Sequence, residues 1–250
     1  MGIKIRLNKF LADRTSLSRR KADEMISRGR VKVNGKRAVL GFMVDVKDDK
    51  VELGSEVIAN FTQEKLVYIM LNKPRKVVST TQDENKRRTV VALVNEQIPH
   101  LPRIYPVGRL DAESEGMIIL TNDGELAYRL THPRYHIKKQ YLVRVRGKLT
   151  DRALERMERG VPLKIGRTKP ASVEVLQIDD QGAELLISIS EGKNRQIRRM
   201  CQAVNVEVVS LKRVAMGSLL LGDLPPGKAR MLNDSEVRLL SKRPDQEMDV

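Results

Sequence analysis

Apolar and polar positions follow two different periods along this 250-residue chain. Leu7, Phe10 and Leu11 recur at helical spacing, and a second helical pattern follows in SLSRRKADEMISRG. There Ala22, Met25 and Ile26 form the apolar stripe, Ser18 stands where a helix is capped and Gly29 where one stops. The period then drops to two. Val31 and Val33 alternate with polar residues into Asn34-Gly35, a pair suited to a tight hairpin turn. Short strands are expected around 44–46 and over Val51–Leu53, with Gly54 turning the chain. The pattern predicts a small α/β module over residues 1–60, followed by a linker at 61–65.

A larger domain is expected over 66–242. LVYIMLNKP reads as a buried strand stopped by Pro74, Val77-Val78 as a further short strand, 80–88 as a polar loop and 90–94 as a helical turn. Residues 117–120 are continuously apolar, as in a core strand, and Asn122-Asp123-Gly124 leads into a helix carrying Leu126, Ala127 and Leu130 on one side. In QYLVRVRG, Tyr141, Val143 and Val145 share one face of a half-buried strand. A short amphipathic helix at 150–159 precedes strands at 171–178 and 184–190. A helix over 194–204 turns Ile197, Met200, Cys201 and Val204 inward and Arg195, Arg198, Arg199 and Gln202 outward. One more strand is expected at 206–209, and a frayed tail over 243–250. Many strands and few intervening helices define an α+β domain on a largely antiparallel or mixed sheet, without the βαβα rhythm of a doubly wound fold.

Composition narrows the partners. Apolar residues make up 40% of the chain, enough for real cores, and 47 Lys and Arg against 32 Asp and Glu leave a net charge of +15. Such a surplus favours a phosphate-rich partner through counterion release. No run of about 18 apolar residues is present to span a bilayer, and MGIKIRLNKF lacks the apolar core of a signal peptide. A cytoplasmic protein with no membrane partner, acting as a monomer, is expected. One cysteine, Cys201, allows neither an internal disulfide nor a multi-thiolate metal site. His132 and His136 are separated by Pro133, which breaks the helix that would align them, and no Gly-rich phosphate loop occurs. The expectation is no metal and no cofactor. Arg19, Arg20, Lys21, Arg30 and Lys32 crowd the small module and point to a nucleic-acid surface.

One carboxylate stands out in this basic background. Asp111 follows the turn signal Pro106-Val107-Gly108 and precedes a short loop into the 117–120 strand, a place where scaffolds hold reactive groups. A loop-stabilising aspartate fits the same position, and Glu113, Glu115 and Asp123 compete for any catalytic part. Spacing alone does not choose among them.

Longer motifs add a resemblance. LNKFLA, SRRKADEMI and GRVKVNGK resemble the small RNA-binding domain named after ribosomal protein S-four, the alpha-L motif. Downstream, LNKPRKVVSTTQD, GRLDAESEGMIILTNDGEL, KQYLVRVRG and EGKNRQIRRM resemble the pseudouridine synthases of the RsuA/RluB/RluF group, in that family's order. Ser114 stands where members often carry threonine, which retains the hydroxyl. The resemblance implies isomerisation of uridine in RNA, without cofactor. It assigns Asp111 as the essential aspartate, Tyr141 as the residue packing on the target base, Arg198 as the cation paired with Asp111, and Arg109 as a support for the everted nucleotide. An arginine beside the carboxylate would offset the cost of holding charge in a dry cleft. Lys73, Arg195 and Arg199 are expected to contact RNA. Ribosomal RNA, free or within an assembly intermediate, is the implied substrate, with the large-subunit RNA favoured. A synthase for small-subunit or transfer RNA and a non-catalytic assembly factor are the alternatives.

Overall fold

The structure, a computed structural model, describes residues 4–15, 17–58, 65–164 and 166–241. The expected linker at 61–65, except Lys65, and the expected tail at 243–250 lie outside them. Chain contacts divide the protein into two compact units, Met1–Lys65 and Leu66–Val250.

In the first unit β1 (Lys4–Arg6) leads into α1 (Leu7–Arg14) and α2 (Arg19–Ser27), followed by β2 (Val31–Val33), β3 (Lys36–Arg37), β4 (Met43–Asp45), β5 (Val51–Leu53) and β6 (Glu56–Ile58). Ser18 caps α2 by accepting from the Lys21 amide at 3.1 Å. Asn34 and Gly35 both sit at positive φ (51° and 77°), the backbone a two-residue hairpin between twisted strands needs. Strands β3-β2-β5-β6 form one small sheet, while β1 pairs with β4. Leu7, Phe10, Leu11, Ala22, Ile26, Val31 and Val51 fill the core between sheet and helices. With that stripe inside, Arg19, Arg20, Lys21, Arg30 and Lys32 are all exposed.

The second unit contains β7 (Tyr68–Lys73), α3 (Val90–Asn95), β8 (Tyr105–Pro106), β9 (Glu115–Thr121), α4 (Gly124–Thr131), β10 (Lys139–Arg146), α5 (Asp151–Arg159), β11 (Ser172–Asp179), β12 (Gly182–Ile189), α6 (Gln196–Ala203), β13 (Glu207–Met216), β14 (Leu219–Leu220), β15 (Ala229–Met231) and α7 (Asp234–Ser241). They build a mixed sheet in the order β11-β12-β10-β13-β9-β7-β15. The β9–β13 pairing is parallel, and its neighbours along the sheet are antiparallel. The α+β architecture with a mixed sheet is therefore as the sequence pattern indicates. Side chains of α3, α5 and α6 cover one face and those of α4 and α7 the other. This two-sided cover explains why 117–120 and Ile69-Met70-Leu71 are apolar without alternation.

Three local expectations change. Val77-Val78 forms no strand, only a single bridge from Val78 to Thr89. The strand expected at 206–209 runs on to Met216, because Arg213 is a buried charge inside it and disguises the apolar run. β15 and α7 were not apparent, since their segment carries little periodic apolar signal.

The parallel pairing at the centre of the sheet depends on Gly116, which lies opposite Arg213 at φ 100°. A Cβ there would fall 2.2 Å from the Arg213 carbonyl oxygen, a backbone atom that cannot step aside. Gly116→Ala should thus destabilise the second unit by roughly 2–5 kcal/mol in urea unfolding followed by circular dichroism. Gly192→Ala, where no atom lies within 4 Å of the new Cβ, should change stability by less than about 0.5 kcal/mol. Equal stability of the two variants would disprove this account of the pairing.

Candidate active site

A cavity of about 320 Å³ opens where the loop before β9, the start of β10, the second half of β13 and the turn before α6 converge. Asp111, Ser114, Lys139, Tyr141, Arg195, Leu211 and Arg213 all line it, with Arg109 on the same wall. Tyr141 and Arg213 are cross-strand partners, so their side chains share one face of the sheet. Tyr141 is 8% exposed and belongs to the core cluster as well as to the cavity wall.

Asp111 is held by a clamp from the segment that follows β7. The Lys73 ammonium donates to the carbonyls of Pro74 (2.9 Å), Val77 (2.8 Å) and Ala112 (3.4 Å). The Lys76 amide also donates to the Ala112 carbonyl, at 2.8 Å. Ser79 completes the grip, its hydroxyl donating to the Leu110 carbonyl and accepting from the Leu110 amide. The residues on both sides of Asp111 are thereby fixed. A turn closed by the Ser114 amide on the Asp111 carbonyl (3.0 Å) sets the start of β9.

The competing carboxylates separate by geometry. Asp123 caps α4, accepting from the amides of Glu125 and Leu126, and also accepts from the Tyr68 hydroxyl. Glu115 faces Arg75 at 3.7 Å, and Glu113 is exposed. Of these four, Asp111 alone lines the cavity.

Two arginines approach Asp111 in different ways. The ion pair is made by Arg195, whose Nη1 lies 3.7 Å from Asp111 Oδ2. Arg195 was expected on the outer face of a helix, but it precedes α6 as a left-handed residue (φ 50°, ψ 35°). That backbone turns its side chain toward the cavity, and a non-glycine residue there needs external support. Gln196 supplies it: its Oε1 accepts from the Lys193 amide and its Nε2 donates to Glu191 Oε1 at 2.8 Å. Arg198 is not the ion-pair partner in this geometry. It donates to the carbonyls of Glu113 (3.2 Å) and Val208 (3.3 Å), bracing the Asp111 loop from beneath. Burial and then the nearby Arg195 lower its pKa from the usual arginine value, while the Asp111 carboxylate acts in the opposite sense.

Lys73 corrects the expected RNA contacts. Its side chain is 0% exposed, with all of its reach spent on backbone carbonyls, so it cannot touch a polyanion. Burial pushes its ammonium down to about 8, against the favourable pull of Glu115, Glu113 and Asp111. Arg199 is half-buried and donates to Asn194 Oδ1 at 3.0 Å, while Arg109 and Arg195 are exposed at the rim. In the 80–88 loop, Arg87 pairs with Asp83 and Arg88 with Glu96. Sequence reasoning missed Ser79, Gln196, Lys139 and Arg213. The first two act through backbone geometry, and the last two look like ordinary surface cations until the sheet register buries Arg213 and half-buries Lys139.

The chain matches the family model for RNA pseudouridylate synthase over residues 67–203 and that for the S4 domain over 5–50. It is 43% identical over 238 residues to the ribosomal large subunit pseudouridine synthase B of Bacillus subtilis (strain 168), covering 94% of this chain and 95% of that one. It is 38% identical to the dual-specificity RNA pseudouridine synthase RluF of Escherichia coli (strain K12), covering 93% and 77%. A crystal structure of a pseudouridylate synthase superimposes with a TM-score of 0.67 at 30% identity, over 94% of this chain and 99% of that one. The chain belongs to the RNA pseudouridine synthase family and carries an N-terminal S4 domain. Among the described residues no helix is long and apolar enough to cross a membrane.

The Lys73 clamp is testable. Lys73→Met takes a donor from the Pro74 and Val77 carbonyls and leaves Ala112 only the Lys76 amide, and should cost about 2–3 kcal/mol in urea unfolding. Its pH dependence has a defined sign. The lysine titrates near 8 when folded and at the ordinary 10.5 when unfolded, so between these values the unfolded chain binds more protons. Wild-type stability therefore rises with pH relative to the variant, and the variant's deficit should widen from pH 8 towards 10.5. A deficit that narrows over this range would argue against a buried ammonium.

Proposed function

We propose that this RNA pseudouridine synthase modifies ribosomal RNA in the cytoplasm, favouring large-subunit RNA, with Asp111 as its nucleophile. The observation that carries the catalytic reading is the half-buried Asp111 carboxylate on the wall of a cavity shared with Tyr141, paired with Arg195. The substrate reading is supported by the large-subunit enzyme that is 43% identical over nearly the whole chain.

The cavity lies at the small end of ligand sites, suited to one nucleotide taken out of its stack. Asp111 attacks C1′ as the N1–C1′ bond breaks and its electron pair passes to the uracil, or it takes the C2′ proton to give a glycal-like intermediate. The uracil turns and C5 bonds to C1′ as the Asp111–C1′ ester bond breaks, or, on the glycal route, as Asp111 returns the proton to C2′. The C5 proton then departs and N1 takes up a proton. Tyr141 presents a flat face to the ring and excludes water. Arg195 pairs with the carboxylate, Arg198 braces its loop and adds positive field that keeps it ionised, and exposed Arg109 supports the sugar or adjoining backbone. Arg19, Arg20, Lys21, Arg30 and Lys32 grip structured RNA through phosphates and shape, with Arg195 and Arg199 contributing on the second unit.

Two outcomes are expected. Asp111→Asn should lower tritium release from large-subunit RNA labelled at uridine C5 by roughly 10³-fold or more, with the circular dichroism spectrum unchanged. Undiminished release would remove Asp111 from the mechanism, and faster release from small-subunit or transfer RNA would redirect the substrate. Separately, Arg19→Ala with Arg20→Ala should reduce the slope of log affinity against log salt by roughly 1–2 in filter binding. A slope equal to wild type would place the RNA grip elsewhere.

A further inference from the structure

Arg213 is 2% exposed in the middle of β13, a costly place for a permanent cation. Its Nε is anchored to the Met117 carbonyl at 2.6 Å, yet its Nη2 is buried without any hydrogen-bond partner. Ser114, 1% exposed and three residues after Asp111, likewise has a buried hydroxyl without a partner. Both side chains form part of the same cavity wall, together with Asp111 and Tyr141. Buried donors without partners are rare in folded proteins, and two in one wall mark groups kept free for a ligand.

The surroundings set the ligand's character. On the neighbouring strand Tyr141 is the cross-strand partner of Arg213, and Lys139, two residues before it and half-buried, lines the same cavity. Its Nζ donates to the Ile137 carbonyl at 3.1 Å. Burial, and then the repulsion of Arg213, push Lys139 down to about 8. A buried guanidinium with a half-buried ammonium near it favours a group that carries or develops negative charge. A phosphate stays with the solvated backbone, whereas a base turned out of its stack enters the cavity and offers oxygens at C2 and C4 on either side of N3–H.

We propose that Arg213, with Ser114 beside it, holds the polar edge of the everted uracil, Arg213 donating to a carbonyl oxygen and Ser114 meeting N3–H. When the N1–C1′ bond breaks, the electron pair left on the base spreads onto O2 and O4, and the Arg213 contact strengthens as that charge develops. Lys139 adds positive potential from the same side. The assignment rests on reading the cavity as the uridine site, and it makes Arg213 a residue that touches the substrate during the known reaction.

The test pairs variants with modified RNA. A large-subunit RNA fragment that the wild type converts is transcribed with uridine, 2-thiouridine or 4-thiouridine, because sulfur accepts a hydrogen bond poorly. Arg213→Gln should lower kcat on the uridine RNA by roughly 100-fold, with RNA affinity and salt slope unchanged. One of the two thio substitutions should cost the wild type about tenfold or more and leave Arg213→Gln with no further loss. Equal thio penalties in both proteins, at both positions, would overturn the proposal. A weakened RNA affinity with a shallower salt slope would overturn it too, since that is the signature of a phosphate contact. If Arg213→Gln fails to fold, Arg213→Lys and Ser114→Ala carry the same comparison. Ser114→Ala should keep the wild-type melting temperature while kcat falls by about tenfold. An active Asp111→Asn enzyme would remove the uridine-site reading itself, whereas an inactive one with equal thio penalties would remove only the Arg213 assignment.

Discussion

The buried ammonium of Lys73 is the constraint on which the site depends. Removing a lysine head from water is unfavourable, and burial accordingly depresses its pKa. The cost is offset by carbonyls of Pro74, Val77 and Ala112 and by the field of Glu115, Glu113 and Asp111. Because these oxygens belong to two separate segments, one charge ties the end of β7 to the loop before β9. The Ser79 contacts at Leu110 close the same loop from its other side. Asp111 is therefore carried on backbone fixed at both flanks, which a reactive group needs if it is to meet a sugar carbon at bonding distance.

From that fixed loop the rest of the arrangement follows. Gly116 lets β13 approach β9 in parallel, and the approach puts Arg213 beside the loop and across from Tyr141. The turn from Glu191 to Gln196 does the same for Arg195 by a different route, holding a non-glycine residue in the left-handed region. Two strained or crowded backbone positions thus converge on one cavity. Such features are costly to the fold, so their coincidence at the candidate site is best understood as serving the reaction rather than stability.

Much of this was legible in the sequence, and what was not has a physical reason. Ser18, Asn34-Gly35 and the apolar stripes of α1 and α2 act locally, so the first unit could be read residue by residue. Asp111 and Tyr141 were identifiable through long motifs, and the cavity contains both. Charges misled in three instances. Lys73 looked like an RNA contact because a lone lysine is nearly always solvated, and nothing in LNKPRKVV shows that the carbonyls fold back around it. Arg198 was paired with Asp111 on motif grounds, but side-chain reach from a helix depends on where the helix begins, and Arg195 sits one turn nearer. Arg213 went unremarked because a cation within a strand reads as an outward residue until the register of three strands is known.

The cations of this protein then divide into two physical kinds. Exposed arginines on the first unit act through a screened field, reach any phosphate and lose effect as salt rises. In the proposed function they supply residence on RNA without naming a base. Buried Arg213 and half-buried Lys139 work where water is scarce, so their effect is strong, little screened by salt and dependent on a hydrogen-bonding edge of the right shape. An enzyme that must first hold a polyanion and then choose one base needs both kinds. The buried kind cannot be recruited from the surface surplus, because each buried cation requires its own local compensation: carbonyls for Lys73, and for Arg213 a partner that the substrate itself brings.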